Sequence, residues 1–487
     1  MSSLHSAAGY VWIGSAYLLA NAATGPIWAK FSDIWGRKPA ILAAVALFAI
    51  ACIMAALSVN MNMLIAARAL QGTAGGGLLQ MVFITISDLF SMRARVLYLG
   101  LTEVLWAIAG GAGPLIGGAF AELVTWRWCF WVQVPVCGIT FGLLAIFLDV
   151  HNPHTRFIDG VVAVDWYGTL SLLAVIVMIL LGLDFGGAIF PWNSATVICL
   201  IVFGAAMIAV FLASEKKLAK YPLMPLELFK HRSNVAAVIV GLAQGMCFIA
   251  GEYYLPLFFQ AVREASPIRS GVLMLPITLS EAALGITTAV IMHQTGRYRE
   301  VMWIGAILVC LGTGLYITFD VDTPLAQLVG LMLIGGSGCG FLFEAPVIAL
   351  QNTVSQADVA TATATFGLLR NVATSVSIVI GGVVLQNGMD RQEARLRASG
   401  LPAYLVAAFS GSHAAANVDL IKGIADAGQR RVVQNAFAVS MQDMWIMYTC
   451  IAAVGIFASP FIRQTKLSKE HTETRTGIQS MIRRAES

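Results

Sequence analysis

Five ionisable residues stand inside long apolar runs of this sequence: Arg68, Glu252, Glu281, Glu344 and Arg370. A charge at the centre of hydrocarbon costs roughly 2.5–3.5 kcal/mol even on insertion scales, so such residues usually serve a purpose. A carboxyl in a low-dielectric environment can bind and release a proton near neutral pH. The chemistry on offer is therefore proton exchange, and Glu281, Glu344 and Glu252 are the candidates for it. Glu281 and Glu344 fall near the middle of their runs, which favours them. Glu103 lies near the end of its run and reads first as a paired or snorkelling structural carboxylate. Arg370 is a candidate partner for one of the glutamates. With Gln71, Tyr253 and Tyr254, it is also a candidate lining for a small-molecule cavity. Aromatics in such runs, Trp12 and Trp106 included, are more often interface anchors or packing.

The elements that must position these residues follow from composition. The chain has 487 residues, 58% of them hydrophobic and only 11% charged. Soluble domains carry about 25% charged residues, so the solvent for most of this surface is lipid. Crossing ~30 Å of hydrocarbon takes about 20 apolar residues, and thirteen runs qualify. They lie near residues 8–29, 39–58, 62–86, 98–120, 129–149, 166–186, 194–214, 235–260, 270–292, 300–319, 325–350, 361–386 and 443–463. Lipid cannot hydrogen-bond a backbone, so each should be helical. The fold class is all-α and polytopic.

Basic residues cluster at the ends of these runs. Placing the turn with Lys30, Arg37 and Lys38 in the cytoplasm puts most of the 30 basic residues on that side, as the positive-inside rule requires. The tail with Arg463, Lys466, Lys469, Arg475, Arg483 and Arg484 is then cytoplasmic and the N-terminus extracellular. The net charge of +4 is not arranged as a nucleic-acid footprint, so no nucleic-acid partner is expected. The eight cysteines all fall in apolar runs without a CxxC, which reads as buried thiols rather than a metal site or disulfide framework. No HExxH, P-loop, nucleophile elbow or dinucleotide fingerprint is present. An enzyme, an ATP-driven pump and a cofactor are not expected.

Four stretches add sharper signals. Lys30-Phe-Ser-Asp33-Ile-Trp-Gly36-Arg37-Lys38 joins two runs; Gly36 permits a tight reversal, and Asp33 can pair with basic neighbours at a helix end. His293-Gln-Thr-Gly296-Arg297-Tyr-Arg299 repeats its Gly-Arg after a later run. Arg68-Ala-Leu-Gln71-Gly72-Thr-Ala-Gly75-Gly-Gly77 buries an arginine. Gly110-Gly111-Ala-Gly113-Pro114-Leu-Ile-Gly117-Gly118 spaces glycines one turn apart, which lets helix backbones approach closely.

These stretches resemble the motifs of the major facilitator superfamily. The first resembles its G-x-L-x-D-x-x-G-R-K loop, with Ala29 and Phe31 as departures, and implies a conformational gate at Asp33, Gly36, Arg37 and Lys38. The second resembles the degenerate copy in the other half of such proteins. The third resembles R-x-x-Q-G-x-G, whose arginine is associated with proton coupling, with Ala74 in place of the last glycine. The fourth resembles the exporter motif G-x-x-x-G-P-x-x-G-G at Gly113, Pro114, Gly117 and Gly118, with Ala109 in place of its first glycine. Trp126–Trp131, Val164–Gly168, Pro222–Phe229 and Tyr253–Gln260 are similar to the fourteen-span drug:proton antiporter branch, especially its fungal members.

The resemblance implies two helix bundles joined by a two-helix linker hairpin. The expected division is a five-span N-terminal bundle (1–150), a linker with two extra spans (151–233), a six-span C-terminal bundle (234–466) and a cytoplasmic tail (467–487). The first family span is expected to be missing, through an upstream exon. A long outer loop, 387–442, is expected to carry a surface helix over Asn417–Met441. The implied function is export of a small amphipathic organic compound by proton antiport, by a monomer. The expected location is the plasma membrane, with the vacuolar membrane as the alternative. The competing readings are a proton-coupled importer of an iron chelate or nutrient, and an inactive truncated transporter.

Overall fold

The computed structural model describes residues 8–151, 153, 155–187, 190–219, 222–224, 226–470 and 477. Arg475, Arg483 and Arg484 of the expected tail, and the residues before Ala8, lie outside the described residues. The first helices are α1 (Ala8–Trp35), α2 (Arg37–Ala56), α3 (Met61–Leu89), α4 (Met92–Leu123), α5 (Trp128–Trp131) and α6 (Gln133–Phe147). Next come α7 (Phe157–Ala163), α8 (Trp166–Phe185) and α9 (Ala195–Lys217). The last are α10 (Arg232–Arg263), α11 (Pro267–Thr295), α12 (Arg299–Tyr316), α13 (Leu325–Leu342), α14 (Ala345–Gln351), α15 (Val359–Ala398), α16 (Ala403–Ala408) and α17 (Ala427–Ala458). Among the described residues there is no strand, only one isolated bridge between Gly186 and Phe190.

Eleven of these segments are long and apolar enough to cross a membrane, with α5–α6 and α13–α14 each running as one. The other two expected spans are carried by α1 and α4, of 28 and 32 residues. Several helices start where a side chain caps a free N–H. Asn60 accepts from the Met63 N–H at 2.8 Å, Asp165 from Gly168 at 2.9 Å and Ser194 from Val197 at 3.3 Å.

One group of helices packs α1 on α3, with α2 against α3 and α6. A second packs α10 against α15 and α17, and α12 against α13 and α17. The two groups meet where α4 lies on α11 and α1 on α15. Helices α8 and α9 pair with each other, and α8 leans on both α1 and α15. Leu172, Ile176 and Leu180 of α8 bury there with Ala22, Ala23 and Leu368.

The close approach of α1 and α3 explains the glycines after Arg68. A Cβ on Gly72 would collide with the Tyr17 carbonyl oxygen, and one on Gly76 with that of Asn21. Overpacking of this kind costs about 1–3 kcal/mol. Gly72→Ala is expected to lower the thermal stability of the detergent-purified protein by that amount. Gly113→Ala should leave it unchanged, because a Cβ there meets nothing within 4 Å. Equal melting of the two variants would refute this packing argument.

The outer loop differs from expectation. Helix α15 runs on to Ala398 and α17 starts at Ala427, so both ends of 387–442 are helical. The segment Asn417–Met441 is not a separate surface helix. Its first part is 3-10 turn, and the rest is the opening of α17. Its apolar spacing has a different cause: Val433, Ala436, Phe437 and Met441 are buried with Leu405, Val406, Phe409 and Ile421 of the connection. Phe409 and Phe437 meet edge to face at 6.4 Å.

Candidate functional site

The turn between α1 and α2 is a buried ion cluster. Gly36 has φ 97°, a conformation that disfavours other residues. It sets Arg37 as the first residue of α2, where the helix dipole favours anions rather than cations. Two carboxylates offset that. Arg37 Nη1 donates to Asp33 Oδ1 at 2.6 Å and Nε to Asp88 Oδ2 at 2.6 Å. Nη1 also donates to Ser32 Oγ at 2.6 Å. Thr361 Oγ1, near the start of α15, donates to Asp33 Oδ2 at 3.4 Å. The cluster therefore reaches from one helix group to the other. Lys38 is half-buried beside it. Lys30 Nζ donates to the Pro222 carbonyl at 3.2 Å.

Two further clamps join the groups at this end. Arg95 is buried and donates to Gln351 Oε1 at 3.0 Å, Gln356 Oε1 at 3.3 Å and the Ser87 carbonyl at 2.7 Å. Arg93 donates to the carbonyls of His293 and Gln294, just before Gly296, which caps α11 with φ 70°. His293 Nδ1 returns to the Arg93 carbonyl at 2.9 Å. The degenerate second copy of the turn thus docks on the start of α4.

Arg68 belongs to a separate network within the first group. Its Nη1 donates to Gln71 Oε1 at 2.5 Å, its Nε to the Ile13 carbonyl at 3.1 Å, and its guanidinium lies 4.5 Å over the Tyr17 ring. Gln71 Nε2 donates to Gln133 Oε1 at 3.2 Å and to Cys52 Sγ at 3.2 Å. Gln71 is buried at 1% exposure, so it orients Arg68 rather than lining an open cavity.

The glutamates converge elsewhere. Helix α13 ends at Leu342 and α14 restarts at Ala345-Pro346, which leaves Glu344 at the break. Its carboxyl lies within electrostatic reach of that of Glu103 on α4, and Arg370 on α15 lies within reach of both. Close packing brings Glu103 in: its Cγ is 3.6 Å from the Cβ position of Gly285 on α11. Glu103 Oε1 and Glu344 Oε2 are buried without a hydrogen-bond partner among the described residues. Glu281 lies within electrostatic reach of Glu252, and each also has a buried Oε1 unpartnered among the described residues. Arg370 Nη2 donates to Gln244 Oε1 at 3.1 Å, with the guanidinium 4.4 Å over the Phe343 ring. The structure thus gathers Glu252, Glu281, Glu344 and Arg370 with the less favoured Glu103. Arg68 is not among their electrostatic partners.

Two further expectations need correction. Tyr254 does not line a cavity. It is buried at 1% exposure, packs on Gly381 and donates to the Ile378 carbonyl, so its hydroxyl is spent inside the second helix group. Its neighbour Tyr253 is 54% exposed. The Gly113–Gly118 stretch lies within α4, but among the described residues no helix crosses closely at Gly113 or Gly117, where added Cβ atoms meet nothing within 4 Å. Pro114 and Gly118 are described in backbone only, as is Trp12.

The arrangement of two helix groups around a seam of buried carboxyls and arginines is that of a transporter. The sequence matches the description Major Facilitator Superfamily over residues 1–378. The chain belongs to that superfamily. It is 45% identical over 476 residues to the efflux pump dotC of Dothistroma septosporum, covering 98% of this chain and 81% of that one. It is 44% identical to the MFS-type transporter ppz2 of Metarhizium majus, covering 97% and 81%. Solved major facilitators share the fold. The human organic anion transporter MFSD10 superposes with a TM-score of 0.55 at 15% identity, covering 91% of this chain and 83% of that one. The proton:xylose symporter XylE gives 0.54 at 15%, covering 97% and 89%. As a major facilitator the chain is a multi-pass protein of a lipid bilayer that acts on a small molecule.

Sequence reading missed Asp88, Arg95 and Gln244, and it undervalued Glu103. The buried arginines were the available signal: each needs partners, and these residues are the partners.

Proposed function

We propose that this major facilitator exports a small amphipathic organic compound in exchange for protons, by alternating access of its two bundles. The carrying observation is the placement of Glu103 on α4 and Glu344 at the α13–α14 break within electrostatic reach of each other, across the seam. Two like charges near each other repel far more strongly in a low-dielectric site than in water. A proton held between the two carboxyls removes that repulsion, so binding it favours the joined bundles and losing it favours their separation. Arg370 supplies the positive charge that lets the unprotonated pair persist. Glu252 and Glu281 form a reserve pair further into the second bundle, and Arg68 with Gln71 tunes the first. The efflux-pump names of the relatives support the outward direction. The Asp33–Arg37 cluster is then the inner gate, in the plasma membrane or the vacuolar membrane of the cell, and the monomer is the working unit.

The test is retention of a fluorescent amphipathic dye in a host lacking its own drug exporters, with and without a protonophore. Wild-type protein should lower retention, and the protonophore should reverse this. Glu103→Gln and Glu344→Gln should each cut protonophore-sensitive export by at least roughly tenfold, the lower end of what general acid–base groups contribute, at unchanged membrane level. Normal export by both variants would remove the carboxyl pair from the coupling mechanism.

A further inference from the structure

The linker hairpin carries a feature that transport does not use. Helices α8 and α9 pack tightly at Gly182 and Gly204, where Cβ atoms would press on Ile201 and Ile179. Toward the end of α9 they part around a groove of about 540 Å³ lined by Tyr167, Leu170, Met207, Val210, Ser214 and Lys217. Leu170, Val210 and Tyr167 are exposed along it, at 60%, 51% and 75%. These helices are membrane spans, so the groove opens onto lipid.

Its polarity is graded. From Met207 to Lys217 a helix rises about 15 Å, half of a ~30 Å hydrocarbon core and hence one leaflet. The inner part is apolar. The charged group at the mouth is Lys217, with Lys216 beside it in the last turn of α9, and neither lysine has an ion-pair partner among the described residues. Ser214, one turn further in, has a buried hydroxyl without a hydrogen-bond partner among them. The mouth lies on the same face as the Asp33–Arg37 turn, because Lys30 bonds to Pro222, which follows α9. Positive residues crowd that face, and the cytoplasmic leaflet is the one rich in anionic lipid.

We infer that this groove is a binding site for an anionic glycerophospholipid of the inner leaflet, one acyl chain lying between α8 and α9 and the headgroup phosphate on Lys216 and Lys217. A sterol has the length but no phosphate to satisfy the lysines. A zwitterionic lipid has the phosphate but carries a compensating cation. Because α8 leans on α1 and α15 across the bundle seam, the lipid would brace the hairpin that spans both bundles. The inference rests on membrane residence and not on proton antiport.

The experiment is native mass spectrometry of the full chain in detergent, titrated with phosphatidylserine or phosphatidylcholine of matched chains. The wild-type protein should retain phosphatidylserine in preference. Lys216→Gln with Lys217→Gln should weaken that retention by roughly thirtyfold, about fivefold for each lysine, and abolish the preference. Both positions are exposed, so the fold should survive. Val210→Trp fills the groove and should release both lipids. An unchanged preference in the lysine variant, or full retention in Val210→Trp, would overturn the site. Displacement of phosphatidylserine by added sterol would overturn the choice of occupant.

Discussion

Arg37→Ala is expected to destabilise the protein by about 3–5 kcal/mol, the cost of removing one partner from a buried ion pair. Its side chain is 2% exposed, and those of Asp33 and Asp88 are 5% and 9%. Without the guanidinium, two carboxylates are left facing each other in a site that water barely reaches. The effect should be conformational as well as thermodynamic. Asp33 also receives the Thr361 hydroxyl from the second bundle, and a loosened Asp33 weakens that bridge. Arg37→Lys should recover only part of the loss, since a point charge cannot serve Asp88 through Nε and Asp33 through Nη1 at once. Thermal unfolding in detergent measures the first effect. Labelling of a cysteine placed at Ala360, which is buried in one cluster with Ala29 and Ala40 of the first bundle, measures the second, and it should rise in Arg37→Ala. A loss below about 1 kcal/mol, the range of solvated pairs, would show that the cluster is wet and is not the inner gate.

The spans were legible because lipid leaves hydrocarbon-facing sequence few alternatives to apolar helix. Hydropathy cannot show where such a helix stops once it enters water, and the outer connection was misjudged for that reason. Helices α15 and α17 continue past the membrane because Phe437 and Val433 still have Phe409 and Ile421 to pack on. The same limit hid Glu103. Reading its run from residue 98 placed it near an end. The helix in fact begins at Met92, so Glu103 lies eleven residues in, about 16 Å along the axis. Arg37 and Asp33 announce themselves by spacing, four residues apart around a glycine. Asp88 joins them from 51 positions away, and no local pattern encodes that. Tyr253 and Tyr254 are neighbours in sequence but point about 100° apart on a helix. In a helix as evenly apolar as α10, nothing in the sequence says which of them turns inward.

Arg370→Ala should abolish transport. Arg370 is the guanidinium that reaches both Glu103 and Glu344, and it is held in place by Gln244 at 3.1 Å and by the face of Phe343 at 4.4 Å. Removing it leaves the carboxyl pair without a cation in a low-dielectric site, so the pair can persist there only with a proton it no longer gives up. A penalty of about 3–5 kcal/mol on the deprotonated state corresponds to a loss of export of at least roughly a hundredfold. Arg370→Lys keeps the charge but loses the planar stack on Phe343, and it should fall between wild type and alanine. Misfolding would mimic this result, and Arg370→Ala combined with Glu344→Gln separates the two. The second substitution removes the uncompensated charge, so thermal stability and membrane level should recover while proton-driven export stays lost. Wild-type export by Arg370→Ala would show that the pair cycles its proton without a counter-ion. Export restored in the double variant would show that Arg370 serves only to neutralise Glu344, and that the coupling proton moves through Glu252 and Glu281 instead.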